Sequence, residues 1–384
     1  MSNTFPVEKF NKLNTPFYYY DIDLLKKTAA TLKKEADKYG YTIHYALKAN
    51  ANDKILNIIQ QHGFGADCVS GNEILKAIAC GFSPSDIAFA GVGKTDKEIE
   101  IGLNNRIFTF NCESIPEIEN INQIAAQKNV IADIAVRINP NIDAHTHQYI
   151  TTGLEENKFG ISRWQFNELA CTLKQLQHVS LKSLHFHVGS QITDFKVFEM
   201  LGEQASDIVE WFESQGFLIE HINLGGGLCI NYETPNEHLV ADFSSYFSIF
   251  NRTLRKRSEQ KVHFELGRSI VGQCGSLITK VLYVKKGQHK NFTIVDAGMT
   301  DLIRPSLYQA YHKIENISSS EANGTYDIVG PICESADCFV KAASIADPKR
   351  NDLLAIRSAG AYGEVMASRY NLRDLPEHYY SDEI

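Results

Sequence analysis

The chain has 384 residues, 43% of them apolar and 22% charged, the balance of an ordinary soluble globule with room for two domains. Its 38 Lys+Arg against 46 Asp+Glu leave a net charge of −8, which argues against a sequence-independent nucleic-acid binder and a polybasic membrane-surface protein, since both need a basic face. Eight scattered cysteines without a CxxC pair, no apolar leader in MSNTFPVEKFNKLNT and no apolar run near the ~18 residues of a membrane span predict reduced thiols in a cytosol, with neither zinc cassette nor disulfide framework.

In chain order, TPFYYYDIDLL (15–25) reads as strand-like. Eight β-rich runs follow: YTIHYAL (41–47), GADCV (65–69), IAFA (87–90), IFTF (107–110), ADIAVRI (132–138), SLHFHV (183–188), EHINL (220–224) and VHFEL (262–266). Amphipathic stretches lie between them. NDKILNIIQQHG spaces Ile55, Ile58 and Ile59 on one helical face and ends at Gly63. SGNEILKAIACG opens with Ser70 and Glu73, the spacing of a capping box, and closes at Gly81. Strands alternating with helices predict a (β/α)8 TIM barrel over 24–268, the open doubly wound sheet being the other arrangement the pattern allows. After 268 the texture turns to strands and turns, in SLITKVLYVKKG, KNFTIVDAG, YDIVGPIC and DLLAIRSAGAYG. This predicts a β-domain over 269–384 that also takes up the N-terminal strand in 1–23.

In a barrel the active site lies at the C-terminal ends of the strands. The polar residues there are Lys48 and Asn50, Asp67, Arg137 and Asn139, His187 to Gln191, Gly225 to Gly227, and Glu265 with Gly267 and Arg268. Three successive glycines let backbone N–H groups turn toward one anion, and the loops after strands seven and eight are the usual phosphate site of a barrel. A tight turn is the plainer reading of the same triplet. Lys48 ends YALKAN. It either reaches into solvent or is a desolvated amine able to form a Schiff base. A lysine and a phosphate cradle on one rim suit pyridoxal phosphate, and Glu265 would then face the pyridine nitrogen and keep it protonated. The plainer reading of Glu265 is a pair with Arg268 at the barrel rim, and the two roles are compatible.

His185 with His187, and His145 with His147, form HxH pairs that could ligate a metal, which motivates a metal-dependent barrel hydrolase as a rival. Stacking on a planar cofactor is the alternative for His187. Further on, Cys333 beside Glu334 in PICESAD could donate a proton, or be a half-buried thiol beside a surface acid. Arg304 and Tyr308 in MTDLIRPSLY and Tyr362 in SAGAYG are further ligand-facing candidates, though the same patterns occur in plain turns.

Taken together, YALKAN, GADCVSGNE, FAGVGK, RINPN, HTH…TTGLEENKFGI, HFHVGSQ, NLGGGL, FELGR, DAGMTDLIRPSLYQAYH, GPICESAD and AGAYG resemble the diaminopimelate decarboxylases, pyridoxal-phosphate enzymes of the alanine-racemase-like fold type. The resemblance runs along nearly the whole chain. It implies that Lys48 carries the cofactor as an aldimine, that His187 stacks on its ring and that Ser190 with Gly225, Gly226 and Gly227 holds its phosphate. It implies Glu265 as partner of the pyridine nitrogen, Asp67 and Arg137 in supporting positions around the ring, and Tyr362 near both cofactor and substrate. Arg268 would contact substrate near the phosphate, Arg304 and Tyr308 would hold the substrate's distal end, and Glu334 would meet its distal amine. Cys333 would be the catalytic thiol. It also implies a homodimer in which Cys333 and Glu334 reach the neighbouring subunit's site.

The expected reaction is decarboxylation of meso-2,6-diaminopimelate to L-lysine and CO2, the last step of lysine biosynthesis, with the final proton coming from Cys333 or Lys48. The guanidinium of Arg304 suits a distal carboxylate, which ornithine and lysine lack. The alternatives are a same-fold decarboxylase acting on another diamino acid, a racemase, against which Glu265 argues, and the metal hydrolase.

Overall fold

The computed structural model describes residues 5–142 and 158–384. After strand β1 (Phe17–Tyr20) come eight parallel strands: β2 (Thr42–Ala46), β3 (Gly65–Cys68), β4 (Ile87–Phe89), β5 (Thr109–Cys112), β6 (Ala132–Ile138), β7 (Val179–Phe186), β8 (His221–Asn223) and β9 (Lys261–Leu266). Each pairs with the next, and β9 returns to β2, closing the expected barrel. All eight runs seen in the sequence are strands. The fourth is displaced: Ile107 and Phe108 precede β5, and Asn111 and Cys112 belong to it. That shift carries Asn111 into the barrel wall.

The crossover helices form for the reasons the sequence suggests. Asp53–Gln61 starts where Asn52 accepts from the Lys54 N–H at 3.1 Å, buries Ile55, Leu56, Ile58 and Ile59, and stops at His62, followed by Gly63 at φ +75°. Gly71–Ala79 is capped by Ser70, which accepts from the Glu73 N–H at 3.2 Å. The reciprocal half of that capping box is absent, because the Glu73 carboxylate accepts from the Val69 N–H instead. The full box sits one helix later, at Thr95 and Glu98 before Asp96–Asn105.

Alternation along β9 sorts its side chains. His263 and Glu265 point into the barrel, while Phe264 points outward among Tyr246, Phe247 and Phe250, with ring centroids 5.0 to 5.5 Å away. These rings lock the helix Phe243–Thr253 onto β9 and so fix where Glu265 stands. One layer below Glu265, His44, His263 and His221 form a relay. His44 Nε2 lies 3.0 Å from His263 Nδ1, and His263 Nε2 lies 2.9 Å from His221 Nδ1, with Phe108 stacked on His44 and His263. His44 Nδ1–H donates to the Asp86 carbonyl, which sets the tautomer of each ring in turn.

The chain divides into two compact units. One is Ala29–Cys229 with Asp242–Gly267, the barrel; the other is the segment up to Thr28 with Ile230–Ala241 and Arg268–Ile384. Assignment of Ile230–Ala241 to the second unit is not foreseen by a boundary at 24–268. The second unit's sheet runs β12 (Ile314–Asn316), β15 (Leu353–Ile356), β10 (Gly275–Lys286), β11 (Asn291–Val295), β13 (Asn323–Val329) and β14 (Cys338–Ala346). β1 joins it antiparallel to β10 and parallel to β16 (Glu377–Tyr380). Residues 15–25 are thus a strand only in their first half, since a helix begins at Ile22. β14 escapes sequence reading because its Ala- and Ser-rich middle is exposed and its pairing with β13 slips register, with Ala342 at φ +53°.

Candidate active site

The barrel rim assembles Lys48, Asp67, Arg137, His187, Ser190, Gly225 to Gly227 and Glu265 at the C-terminal ends of their strands. Lys48 sits in the one-turn 3-10 helix Leu47–Ala49, immediately after β2. Its Nζ lies 2.7 Å from Asp67 Oδ2 on β3. The lysine side chain is 38% exposed while Asp67 is fully buried, so of the two alternatives the amine is the solvent-reaching one, and it is paired rather than desolvated. Burial, reinforced by the charge of Glu265 and opposed by Lys48, pushes the Asp67 carboxyl up to about 6. Asp67 Oδ1 has no hydrogen-bond partner among the described residues.

Glu265 is held from three strands. His185 Nε2 on β7 lies 2.9 Å from Oε2, while Asn111 Nδ2 on β5 and Asn223 Nδ2 on β8 donate to Oε1 at 3.0 and 2.7 Å. Burial alone raises this acid. The hydrogen bond from His185 and the Lys48 ammonium outweigh burial and hold the carboxyl well below the usual range. Glu265 is therefore a fixed anion in the barrel. His185 is committed to it, which removes the first His of the HxH pair from any metal role. His145 and His147 lie outside the described residues. Among those described, no group of three or more His, Cys, Asp or Glu is placed to hold a metal ion.

His187 follows β7, and its Nδ1 accepts from the Gly226 N–H at 3.3 Å. Burial, then the charges of Arg137 and Lys48, push its imidazole well below its ordinary pKa, so the ring is neutral and acts as an acceptor. The loop carrying Ser190 is tied to the glycine loop by the Ile192 N–H, which donates to the Gly227 carbonyl at 2.9 Å.

The three glycines are required first by packing. Gly225 and Gly227 have φ of +66° and +105°, and a Cβ on Gly226 would lie 2.0 Å from the Glu265 carbonyl. Their N–H groups are not all free for an anion, as the sequence alone suggested. Gly225 donates to Asn223 Oδ1 at 2.9 Å and Gly226 to His187, while the Gly227 N–H has no partner among the described residues.

Arg137 makes a buried ion pair with Glu113, Nη1 to Oε1 at 2.7 Å, and lies over the Phe159 ring at 4.6 Å. Glu113 Oε2 accepts from the Gly160 N–H at 2.9 Å. Glu113 escaped sequence reasoning because displacement of β5 hid it at a strand end.

The second unit carries its own cationic cluster. Arg268 and Arg304 are both buried. Arg268 Nη1 donates to the Tyr232 hydroxyl at 2.7 Å, and its guanidinium lies 4.9 Å from the Tyr362 ring. Arg304 lies 5.7 Å from the Tyr232 ring and 5.9 Å from that of Tyr308, and its Nε donates to His312 Nε2 at 3.4 Å. Burial and the charge of Arg304 hold His312 down at about 3, so it stays neutral beside the guanidinium. Tyr362 adopts φ +56°, a left-handed conformation that a tyrosine rarely takes. Cys333 and Glu334 lie exposed between β13 and β14; the Cys333 N–H donates to Asn371 Oδ1 at 3.4 Å, and Glu334 accepts from the Tyr370 hydroxyl at 2.7 Å. Tyr232 had no motif to announce it, and His312 closes DAGMTDLIRPSLYQAYH without being singled out there.

On the barrel rim the residues present fit pyridoxal phosphate. They offer an amine with a buried carboxylate beside it, a fixed anion, a neutral imidazole and a glycine loop with an unspent N–H.

Residues 23–272 match the family described as pyridoxal-dependent decarboxylase, pyridoxal binding domain. The chain is 55% identical over 385 residues, 100% of both chains, to a diaminopimelate decarboxylase of Bacteroides thetaiotaomicron. It is 42% identical to one of Helicobacter pylori over 368 residues, 95% of this chain and 90% of the relative. A crystal structure of diaminopimelate decarboxylase from Helicobacter pylori complexed with L-lysine has a TM-score of 0.92 at 39% identity, covering 97% of this chain and 93% of that one.

Proposed function

The chain belongs to the diaminopimelate decarboxylases, within the pyridoxal-dependent decarboxylases, and from that premise we propose that it converts meso-2,6-diaminopimelate to L-lysine and CO2 with Lys48 holding pyridoxal 5'-phosphate. The observation that carries the site assignment is Glu265, a buried acid kept ionised by His185, Asn111 and Asn223 on the same barrel rim as the accessible Lys48–Asp67 pair. Nothing in the comparisons supports the metal hydrolase.

Bound pyridoxal phosphate supplies an electron sink for the pair released when the bond from Cα to a carboxylate breaks. The chain's own residues do the rest. Glu265 keeps a proton on the ring nitrogen, since a fixed anion favours the protonated base. Neutral His187 would lie against the ring without adding a competing positive charge. Gly225 to Gly227 and Ser190 take the phosphate, with the Gly227 N–H as the donor still available. Asp67 holds Lys48 in position, and Arg137, anchored by Glu113, walls the site.

The resemblance gives Arg268 a role in binding substrate and Tyr362 a role toward both cofactor and substrate. Arg304 and Tyr308 hold the distal carboxylate. Keeping a buried guanidinium ionised is costly unless an anion meets it, so Arg304 favours a substrate that brings its own. Once CO2 has left, one proton must reach Cα. Cys333 delivers it, with Lys48 as the other candidate, and Glu334 orients the distal amine.

Both Cys333 and Glu334 are exposed in a single copy, which suits a homodimer in which each subunit supplies them to the other. All eight cysteines are unpaired, consistent with a reducing cytoplasm. Among the described residues no helix is long and apolar enough to cross a membrane. Borohydride reduction of the loaded protein followed by peptide mass mapping tests the assignment. The cofactor's mass should appear on the peptide holding Lys48; a label on any other lysine overturns it.

A further inference from the structure

Asn223 uses both ends of its amide. Nδ2 donates to Glu265 Oε1 at 2.7 Å, and Oδ1 accepts from the Gly225 N–H at 2.9 Å. The chemistry of the partners fixes which end is which: a peptide N–H needs an oxygen and a carboxylate needs a donor. Asn223 is buried at the end of β8, two residues before the glycine loop, so the amide has no solvent to turn toward.

The other donor on the same carboxylate oxygen, Asn111, makes no comparable bridge, because its Oδ1 has no hydrogen-bond partner among the described residues. Gly225 is also hemmed in. Its φ is +66°, and a Cβ there would lie 2.3 Å from the Phe186 carbonyl, so its peptide has little freedom to find another acceptor.

We propose that Asn223 is a positioning residue that couples the two ends of the cofactor site, setting the Glu265 carboxylate and the first peptide of the glycine loop in one geometry. This rests on the assignment of Glu265 to the ring and of the glycines to the phosphate. It explains why the residue is an amide. Alanine loses both contacts, whereas aspartate keeps an acceptor for the Gly225 N–H but brings a second carboxylate against Glu265.

The test uses the full chain freed of cofactor and two probes, inorganic phosphate for one end and unphosphorylated pyridoxal for the other. Binding is read by titration, and folding is checked by circular dichroism. Asn223→Ala should weaken both probes by about tenfold or more, the size expected for losing a hydrogen bond to a charged or fixed group. Asn223→Asp should bind phosphate within about threefold of wild type and lose affinity only for pyridoxal, a rescue of one end that a merely structural role does not give.

Equal losses of both probes in Asn223→Asp, or unchanged phosphate binding in folded Asn223→Ala, overturn the coupling. If Asn223→Ala does not fold, the split in Asn223→Asp decides alone. Wild-type protein that forms no absorbing adduct with pyridoxal 5'-phosphate overturns the underlying assignment, and the coupling with it. Wild type that does so, beside variants that bind both probes normally, overturns the coupling only.

Discussion

Replacing Glu265 with glutamine removes one charge and almost no volume, so its cost can be worked from the contacts. Oε1 accepts two N–H groups, and Oε2 faces His185 Nε2. A glutamine amide must place its NH2 on one side. Toward Asn111 and Asn223 it would meet two donors, so it turns toward His185, whose ring must then carry its proton on Nδ1. That atom has no hydrogen-bond partner among the described residues, and a buried orphan N–H costs about 1–3 kcal/mol. The two asparagine bonds also fall from charge-assisted to neutral, a loss of about 1 kcal/mol each. Relief from burying a charge offsets part of this, so Glu265→Gln should fold, with a melting temperature lowered by a few degrees at most.

Activity should respond differently. Without an anion to hold the ring-nitrogen proton, the reaction loses a preorganised electrostatic partner, an effect of about 3–4 kcal/mol or roughly 100- to 1,000-fold in kcat. The assay is steady-state CO2 release beside a thermal melt. A kcat within about threefold of wild type, from protein carrying a full complement of cofactor, would refute the role given to Glu265.

Mixing Lys48→Ala with Cys333→Ala protein, each inactive or slow alone, should restore activity toward about a quarter of the wild-type sites if subunits exchange at random in a twofold dimer. No recovery after verified exchange rejects the shared site. Arg304→Ala should raise KM for diaminopimelate and lower discrimination against lysine, which lacks the distal carboxylate. An unchanged preference in a substrate panel removes Arg304 from that role. Burial pushes His44 below its ordinary pKa despite the charge of Glu265. The unfolded chain therefore takes up a proton there near pH 6.5 when the folded barrel does not. Stability from this group is complete above that pH and is lost as pH falls below it. Relative to His44→Gln, wild type should lose up to about 1.4 kcal/mol per pH unit below 6.5. Parallel urea midpoints for the two proteins from pH 7.5 to 5.5 would show that His44 titrates normally.

The barrel was legible because each strand is a short apolar run and the count was redundant: a displaced β5 did not alter the fold. The placement of Lys48, the glycines and Glu265 on one rim was legible because they end or follow apolar runs that are strands. The groups that tune them were not. Asn111 and Asn223 look like ordinary polar residues until closure brings them to Glu265, which lies 154 and 42 positions along the chain from them. Glu113 and Tyr232 have meaning only beside Arg137 and Arg268, partners that no local periodicity names. Of the two readings of Lys48, the accessible one holds, but its pairing was not legible, because the apolar YAL before it says nothing of Asp67 across the neighbouring strand.

The most direct measurement is to supply pyridoxal phosphate and meso-2,6-diaminopimelate to the purified protein and quantify lysine and CO2 in the same reaction. Equal amounts of both should appear, and Lys48→Ala should yield neither. Folded, cofactor-loaded wild-type protein that releases neither product would contradict the assignment.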